Sequence, residues 1–289
     1  MSISMEGKVV LVTGGTRGLG RAFSECAAKA HATVVLNSTG DDDGGSVQAI
    51  IKSGGKALHV PGLVEEPDAL IETVIKQLGR LDAVIHNAGF VRDKTLRKMN
   101  DEQWEEVLAV HLTASFKLSR AAWPYFEEQG GGRIVLISSA SGLYGNFGQS
   151  NYAAAKMGMY GLARSIAWEG GGSNIACNCV CPVGATTMNS ANWSEEDKRI
   201  RKPEYVAPLV VYLAHPDCQE SGSIFEASAG SFRKLRWERT EGLNVYPEQE
   251  ALDLDTIADN WGKIVDFSSS EHPLHMGDSL ERMYARFKK

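Results

Sequence analysis

A short apolar run, Lys8 to Thr13 (KVVLVT), passes directly into Gly14-Gly15-Thr16-Arg17-Gly18-Leu19-Gly20, and this junction restricts the fold of the 289-residue chain more than any other stretch. A run of that length, apolar on both faces, reads as a strand buried in a parallel sheet. Arg21 to Ala30 follows with helix formers and no breaker, so the order is strand, glycine turn, helix. Such a turn lets backbone N–H groups and a helix N-terminus approach a pyrophosphate, with glycine wherever a side chain would block the approach. The spacing is G-x-x-x-G-x-G, not the usual dinucleotide G-x-G-x-x-G, and as a bare pattern it also fits a structural turn.

Thr33 to Asn37 (TVVLN) reads as a second strand. Its end falls about 20 residues beyond the turn, where folds of this kind meet the adenosine ribose of a dinucleotide. An acidic side chain there binds the 2′-hydroxyl of NAD and repels the 2′-phosphate of NADP. Asn37 and Ser38 occupy the place and Arg17 offers a cation inside the turn, which points to NADP(H). Asp41, Asp42 and Asp43 either bend back to the ribose or form a solvated acidic turn, so NAD(H) stays open.

Helices over Ser46 to Lys52 and Pro67 to Leu78 alternate with strands over Lys56 to Val60 and Ala83 to His86. Asn87-Ala88-Gly89 follows the fourth strand, at the carboxyl edge where such sheets bind ligands. A long helical pattern from Asp101 to Glu128 carries His111 and is expected to bend near Pro124. Strands over Gly132 to Ser138, Asn174 to Cys181 and Ser223 to Ala227, with helices over Tyr152 to Trp168 and Pro203 to Ala214, complete the pattern. Regular alternation implies right-handed crossovers with helices on both faces. The expected fold is α/β, a Rossmann-like doubly wound parallel sheet of about seven strands.

Tyr152-Ala-Ala-Ala-Lys156 places phenol and ammonium one helical turn apart on one face. A positive charge beside a phenol favours the phenolate and brings the group toward a working pH, so the lysine is expected to tune the tyrosine as an acid. Ser139 stands thirteen residues before the tyrosine, where it is either a partner in that chemistry or a satisfied hydroxyl at a strand end.

The formal charge is -6 with no dominant Lys or Arg block, which argues against nucleic acid or an anionic membrane surface as the main partner. No apolar run reaches the roughly 18 to 20 residues needed to span a bilayer. Five cysteines (Cys26, Cys177, Cys179, Cys181 and Cys218) with no secretory signal are expected to be reduced thiols. Cys177, Cys179 and Cys181 alternate along one strand and have no matching His/Cys group, so they read as small core residues; no metal site is expected.

Thr13-Gly14-x-x-x-Gly18-x-Gly20, Asn87-Ala88-Gly89, Ser139, Tyr152, Lys156 and Pro182, in that order, resemble the short-chain dehydrogenase/reductase superfamily. Residues 144–149 (YGNFGQ), 203–209 (PEYVAPL) and 235–239 (LRWER) are similar to the (3R)-hydroxyacyl-CoA dehydrogenase domains of type 2 peroxisomal multifunctional enzymes. The resemblance implies Tyr152 as proton donor or acceptor, Ser139 on the substrate oxygen, Lys156 on the nicotinamide ribose, and His111 behind it with a relay water or as a packed helix residue. It implies a cofactor cleft formed by Gly14, Thr16, Arg17, Gly18, Leu19, Gly20, Ser38, Asn87, Ala88, Gly89, Pro182 and Gly184, with Tyr152 and Lys156. It also implies a homodimer or homotetramer.

Several positions depart from the narrower pattern. Asn37-Ser38 replaces Asn-Asp, Arg17 stands where that family is small, and Gly62 stands where the superfamily has an aspartate for the adenine amine. His111 replaces the superfamily's asparagine, although histidine also fits the narrower family. No hydratase domain follows, and Arg286-Phe287-Lys288-Lys289 does not match the Ser-Lys-Leu tripeptide. These departures lead to an expected biosynthetic NADPH-linked ketoreductase, cytoplasmic, with NAD-linked (3R)-hydroxyacyl-CoA oxidation and a peroxisomal address as the alternatives. A cofactor-binding sensor or scaffold without chemistry is the reading from another class.

Two variable stretches are expected to choose the substrate. Leu143, Tyr144 and Phe147 lie in the first, Met188 and Trp193 in the second, and their apolar character suits a hydrophobic ketone or alcohol or an acyl thioester. Residues 1–239 are expected to form one domain. Residues 240–289 extend it, with Trp261, Ile264 and Phe267 burying a helix against the body or a symmetric partner.

Overall fold

All five side chains of Val9–Thr13 (β1) are buried, as a strand covered on both faces requires. The computed structural model of the chain describes residues 3–40, 45–186, 193–245 and 252–285. Met188 and the run Asp41 to Asp43 lie outside the described residues. The chain divides into two compact units, Met1–Lys234 and Leu235–Lys289.

In the first unit β1 is followed by α1 (Gly18–Lys29), β2 (Thr33–Ser38), α2 (Ser46–Lys52), β3 (Lys56–Pro61), α3 (Pro67–Leu78) and β4 (Ala83–His86). Next come α4 (Asp101–Leu108), α5 (Ala114–Glu128), β5 (Gly132–Ile137), α6 (Ala140–Tyr144), α7 (Ser150–Gly170) and β6 (Ile175–Val183). The unit closes with α8 (Glu195–Ile200), α9 (Ala207–Leu213), β7 (Ile224–Ser228) and β8 (Ser231–Leu235). The sheet has eight strands in the order β3-β2-β1-β4-β5-β6-β7-β8, and the pairs from β3 to β7 are parallel. The eighth, edge strand exceeds the expected seven because Ala229 and Gly230, both at positive φ (51° and 75°), reverse the chain after β7.

Val10, Val12, Val34 and Leu36 of the central strands pack with Phe23 and Ala27 of α1 and Val210 and Leu213 of α9 in one apolar layer. Phe23 is fully buried, so its truncation to alanine costs about 3–5 kcal/mol. This packing fixes α1 behind the glycine turn. The register pairs Thr13 with both Asn37 and His86, so β1, β2 and β4 end at one level. Strand order reverses between β1 and β4, and their following loops open a crevice at the carboxyl edge.

The expected bend near Pro124 is displaced. Pro124 lies inside α5, whereas the hydrogen-bond ladder changes at Ala109–Thr113, a π-helical turn between α4 and α5 that contains His111. Such turns concentrate at functional sites because the extra residue per turn re-aims one side chain. Upstream, Asn100 caps α4 by a reciprocal box with Gln103.

In the second unit Arg239–Thr240 (β9) pairs antiparallel with Ser270–Glu271 (β10), around helices α10 (Leu254–Asp259), α11 (Trp261–Ile264) and α12 (Met276–Ala285). The Arg239 guanidinium binds Glu271 at 2.8 Å and the Ser279 hydroxyl at 2.7 Å. Trp261 and Phe267 remain exposed (58% and 59%) and Ile264 is half-buried. No helix among the described residues is long and apolar enough to cross a membrane.

Candidate active site

A cleft of about 440 Å³ runs along the carboxyl edge of the sheet. Arg17, Ser38, Thr39 and Leu63 line one end; Ser139, Tyr152, Lys156 and His111 line the other.

The glycine turn fits a close-approaching ligand for steric reasons. A Cβ on Gly20 would lie 2.0 Å from the Gly14 carbonyl oxygen and 2.6 Å from Asn87 Nδ2, so only glycine lets α1 start against the ends of β1 and β4. Arg17 is the N-cap of α1 and makes no side-chain cap, so the first-turn N–H groups are uncapped by that side chain. Gly14, Thr16, Arg17, Gly18 and Leu19 line the cleft, as do Ser38, Asn87, Ala88, Gly89 and Pro182. Gly20 and Gly184 are not on its wall. Gly20 packs inside the turn, and a Cβ on Gly184 would meet Leu19 Cδ2 at 3.0 Å.

Sequence reading missed the polar node that joins the turn to the fourth strand. The Thr13 hydroxyl accepts the N–H groups of Asn87 (3.0 Å) and Ala88 (3.1 Å) and meets His86 Nδ1 at 2.9 Å. His86 Nε2 lies 3.2 Å from the Val110 carbonyl, which can only accept, so Nε2 carries the proton and Nδ1 accepts from Thr13. Burial holds the His86 pKa down to about 3, with the nearby Lys156 acting in the same direction. The signal was an imidazole ending the otherwise apolar strand AVIH.

His111 projects from the π turn across Gly89, where a Cβ would lie 1.9 Å from His111 Cε1. Its Nε2 donates to the Phe90 carbonyl at 2.8 Å, and its ring meets that of Tyr152 edge-on, with centroids 5.1 Å apart and planes at 87°. Burial, then Lys156, hold its pKa well below the ordinary histidine value. Nδ1 is therefore a lone-pair acceptor, and this buried atom has no hydrogen-bond partner among the described residues.

Ser139 is the N-cap of α6 and accepts the Ser141 N–H at 3.2 Å, which leaves its own proton free to donate. Tyr152 and Lys156 share the inward face of α7. Lys156 is 3% exposed and donates to the Ile137 carbonyl at 2.5 Å. The expected tuning of the phenol by the ammonium is not what the geometry gives. Burial raises the Tyr152 pKa, with the Ser139 hydrogen bond pulling against it, and burial lowers Lys156 to about 7. A desolvated pair disfavours both charged forms, and Lys156 is spent on a carbonyl.

The expected substrate residues lie away from this wall. Tyr144 is exposed and donates to Glu226 at 2.9 Å, Phe147 is 89% exposed, and Trp193 stacks on Arg201 at 4.9 Å. Leu143 is half-buried and does not line the cleft. Gln149 joins the neighbouring loops: its carbonyl accepts from Ser141 and Asn146 at 2.9 Å, and its amide donates to both Asp93 oxygens at 3.1 Å. All five cysteines are free thiols, and Cys177, Cys179 and Cys181 lie buried in β6.

Residues 8–198 match the family model described as short chain dehydrogenase. The chain is 42% identical over 287 residues to peroxisomal multifunctional enzyme type 2 of Mus musculus, covering 96% of this chain and 39% of that protein. The structure of full-length peroxisomal multifunctional enzyme type 2 from Drosophila melanogaster is similar, with a TM-score of 0.84 and 35% identity over 98% of this chain and 50% of that one. A short chain dehydrogenase from Mycobacterium avium matches with a TM-score of 0.81 and 31% identity, covering 92% of this chain and 98% of its own. The chain thus spans half or less of the multifunctional proteins and nearly all of the bacterial one. It belongs to the short-chain dehydrogenase/reductase family of NAD(P)-dependent oxidoreductases.

Proposed function

We propose that the chain interconverts a (3R)-3-hydroxyacyl thioester and its 3-oxoacyl counterpart, with Tyr152, Ser139 and Lys156 as the catalytic group. The observation that carries the reading is their meeting at one end of a cleft whose other end is a glycine turn too tight for any Cβ at Gly20. The similarity to the multifunctional enzymes favours a hydroxyacyl substrate over the biosynthetic ketone expected from the departures in sequence.

Bound in the cleft, a nicotinamide dinucleotide supplies or accepts the hydride. The Ser139 hydroxyl donates to the substrate oxygen and fixes it beside the Tyr152 phenol. Tyr152, protonated at neutral pH by its raised pKa, gives its proton to that oxygen during reduction; during oxidation it takes the hydroxyl proton only after its own has left through the relay. Lys156, which titrates near 7, exchanges the proton onward, and His111 Nδ1 accepts a hydrogen bond from the water that continues the relay. The phosphorylated cofactor, NADP(H), fits the far end better. Arg17 is exposed there beside Ser38, and no ion-pair partner for it occurs among the described residues.

The exposed Trp261 and Phe267 suit burial in a homo-oligomer, and the relatives suit a peroxisomal location. The test is turnover of 3-hydroxyacyl-CoA beside simple secondary alcohols, with each oxidised dinucleotide. A clear preference for the thioester supports the reading; equal or better turnover of the free alcohols overturns it.

A further inference from the structure

The loop between β4 and α4 leaves the cleft at Phe90 and runs along its rim. Arg92 stacks over the Phe90 ring at 4.3 Å and pairs with Glu106 at 2.9 Å, so its charge is compensated. Asn151, the residue before Tyr152, donates to the Arg92 carbonyl at 3.2 Å. Lys94 donates its N–H to the Gly148 carbonyl at 2.8 Å, and the Ser150 hydroxyl meets Met99 Sδ at 3.6 Å. These contacts lay residues 92–99 beside residues 146–151, at the start of the helix that carries Tyr152 and Lys156.

Lys94, Arg97 and Lys98 are exposed on this rim, and none has an ion-pair or hydrogen-bond partner for its side chain among the described residues. No acid falls between them; Asp93, just before Lys94, accepts from the Gln149 amide, and Asp101 and Glu102 sit in the first turn of α4, where they answer the helix dipole. Two large apolar side chains stand on the same rim, largely uncovered among the described residues: Leu96 is 74% exposed and Phe147 89%. Uncompensated cations beside exposed apolar groups suit a ligand that is polyanionic at one end and apolar along its arm.

We propose that this rim is the outer part of the substrate site, where Lys94, Arg97 and Lys98 receive the phosphates of coenzyme A and Leu96 and Phe147 receive the arm leading to the thioester. The inference rests on the hydroxyacyl reading above. An acyl carrier protein is the other source of a phosphopantetheine arm. It presents an acidic helix, whereas the cations here are confined to one five-residue run.

The test compares 3-hydroxyacyl-CoA with the corresponding N-acetylcysteamine thioester, which lacks the phosphates, in the wild type and in the combined variant Lys94→Ala, Arg97→Ala, Lys98→Ala. The expected result is a KM for the CoA ester about ten-fold higher, a few-fold per charge, with the N-acetylcysteamine KM and both kcat values unchanged. The wild-type KM for the CoA ester should also rise with salt, and the variant's should not. An unchanged KM for the CoA ester, or equal rises for both esters, overturns the clamp alone. With 3-hydroxyacyl-acyl carrier protein as a third substrate, a KM rise confined to that substrate overturns the clamp in favour of that carrier. No turnover of either thioester by the wild type overturns the hydroxyacyl reading and the clamp with it. Thermal unfolding and dinucleotide titration of the variant separate misfolding from these outcomes.

Discussion

The Lys156 ammonium lies 5.4 Å from the centre of the Tyr152 ring and donates to the Ile137 carbonyl at 2.5 Å. The lysine is held by the end of β5, not by the phenol. Its charge is costly there, because burial lowers its pKa to about 7. In the unfolded chain an ordinary lysine binds its proton up to roughly 10.4. Between these values the unfolded state binds more protons, so this group makes the protein more stable as pH rises from about 7, at up to about 1.4 kcal/mol per pH unit. Raised tyrosine and cysteine values oppose it above about pH 9. Urea unfolding at pH 7 and pH 9 should show the rise in the wild type and lose it in Lys156→Met.

His86 acts in the same direction at lower pH. Its folded pKa of about 3 is below the unfolded value of about 6.5, so its contribution is complete above pH 6.5 and is lost as pH falls toward 3. His111 shifts in the same direction. His86→Asn should be less acid-sensitive between pH 6 and 4, with the midpoint of acid unfolding moved downward. An unchanged midpoint would show that other groups govern that transition.

Gly20→Ala should damage the cleft from inside the turn. The added Cβ meets the Gly14 carbonyl at 2.0 Å, so α1 must shift, at a cost of about 1–3 kcal/mol. Dinucleotide affinity measured by calorimetry should fall at least about ten-fold, while Gly40→Ala, with nothing within 4 Å of its Cβ, serves as the neutral control.

Arg17 makes no side-chain cap on α1, so its removal tests ligand recognition with little effect on the fold. Arg17→Ala should weaken NADPH by about ten-fold and leave NADH within about two-fold, as expected for loss of one charge-assisted contact. Equal losses would place the cation elsewhere on the cofactor.

The strand–turn–helix opening and the Tyr152/Lys156 spacing were legible because each depends on local periodicity. The π turn at His111 was not, since Ala109 to Thr113 has helical composition and the irregularity follows from tertiary contacts such as His86 to Val110. The His86–Thr13 pair joins residues 73 apart, and no local pattern connects them. The apolar rings of Tyr144 and Phe147 do not reveal their direction: Tyr144 donates to Glu226, and Phe147 faces outward on the rim, beyond the cleft wall. Electrostatic tuning also escaped the sequence, because four-residue spacing brings Lys156 near the phenol without indicating that the Ile137 carbonyl accepts its hydrogen bond.

The most direct measurement is reduction of nicotinamide dinucleotide by (3R)- and (3S)-3-hydroxyacyl-CoA with the wild type and Tyr152→Phe, alongside calorimetry of the cofactor. The account predicts turnover of the 3R ester, a loss of about 10³-fold or more in Tyr152→Phe, and cofactor affinity within about two-fold of wild type. Turnover of the 3R ester that survives in Tyr152→Phe, or its absence from the wild type, would contradict it.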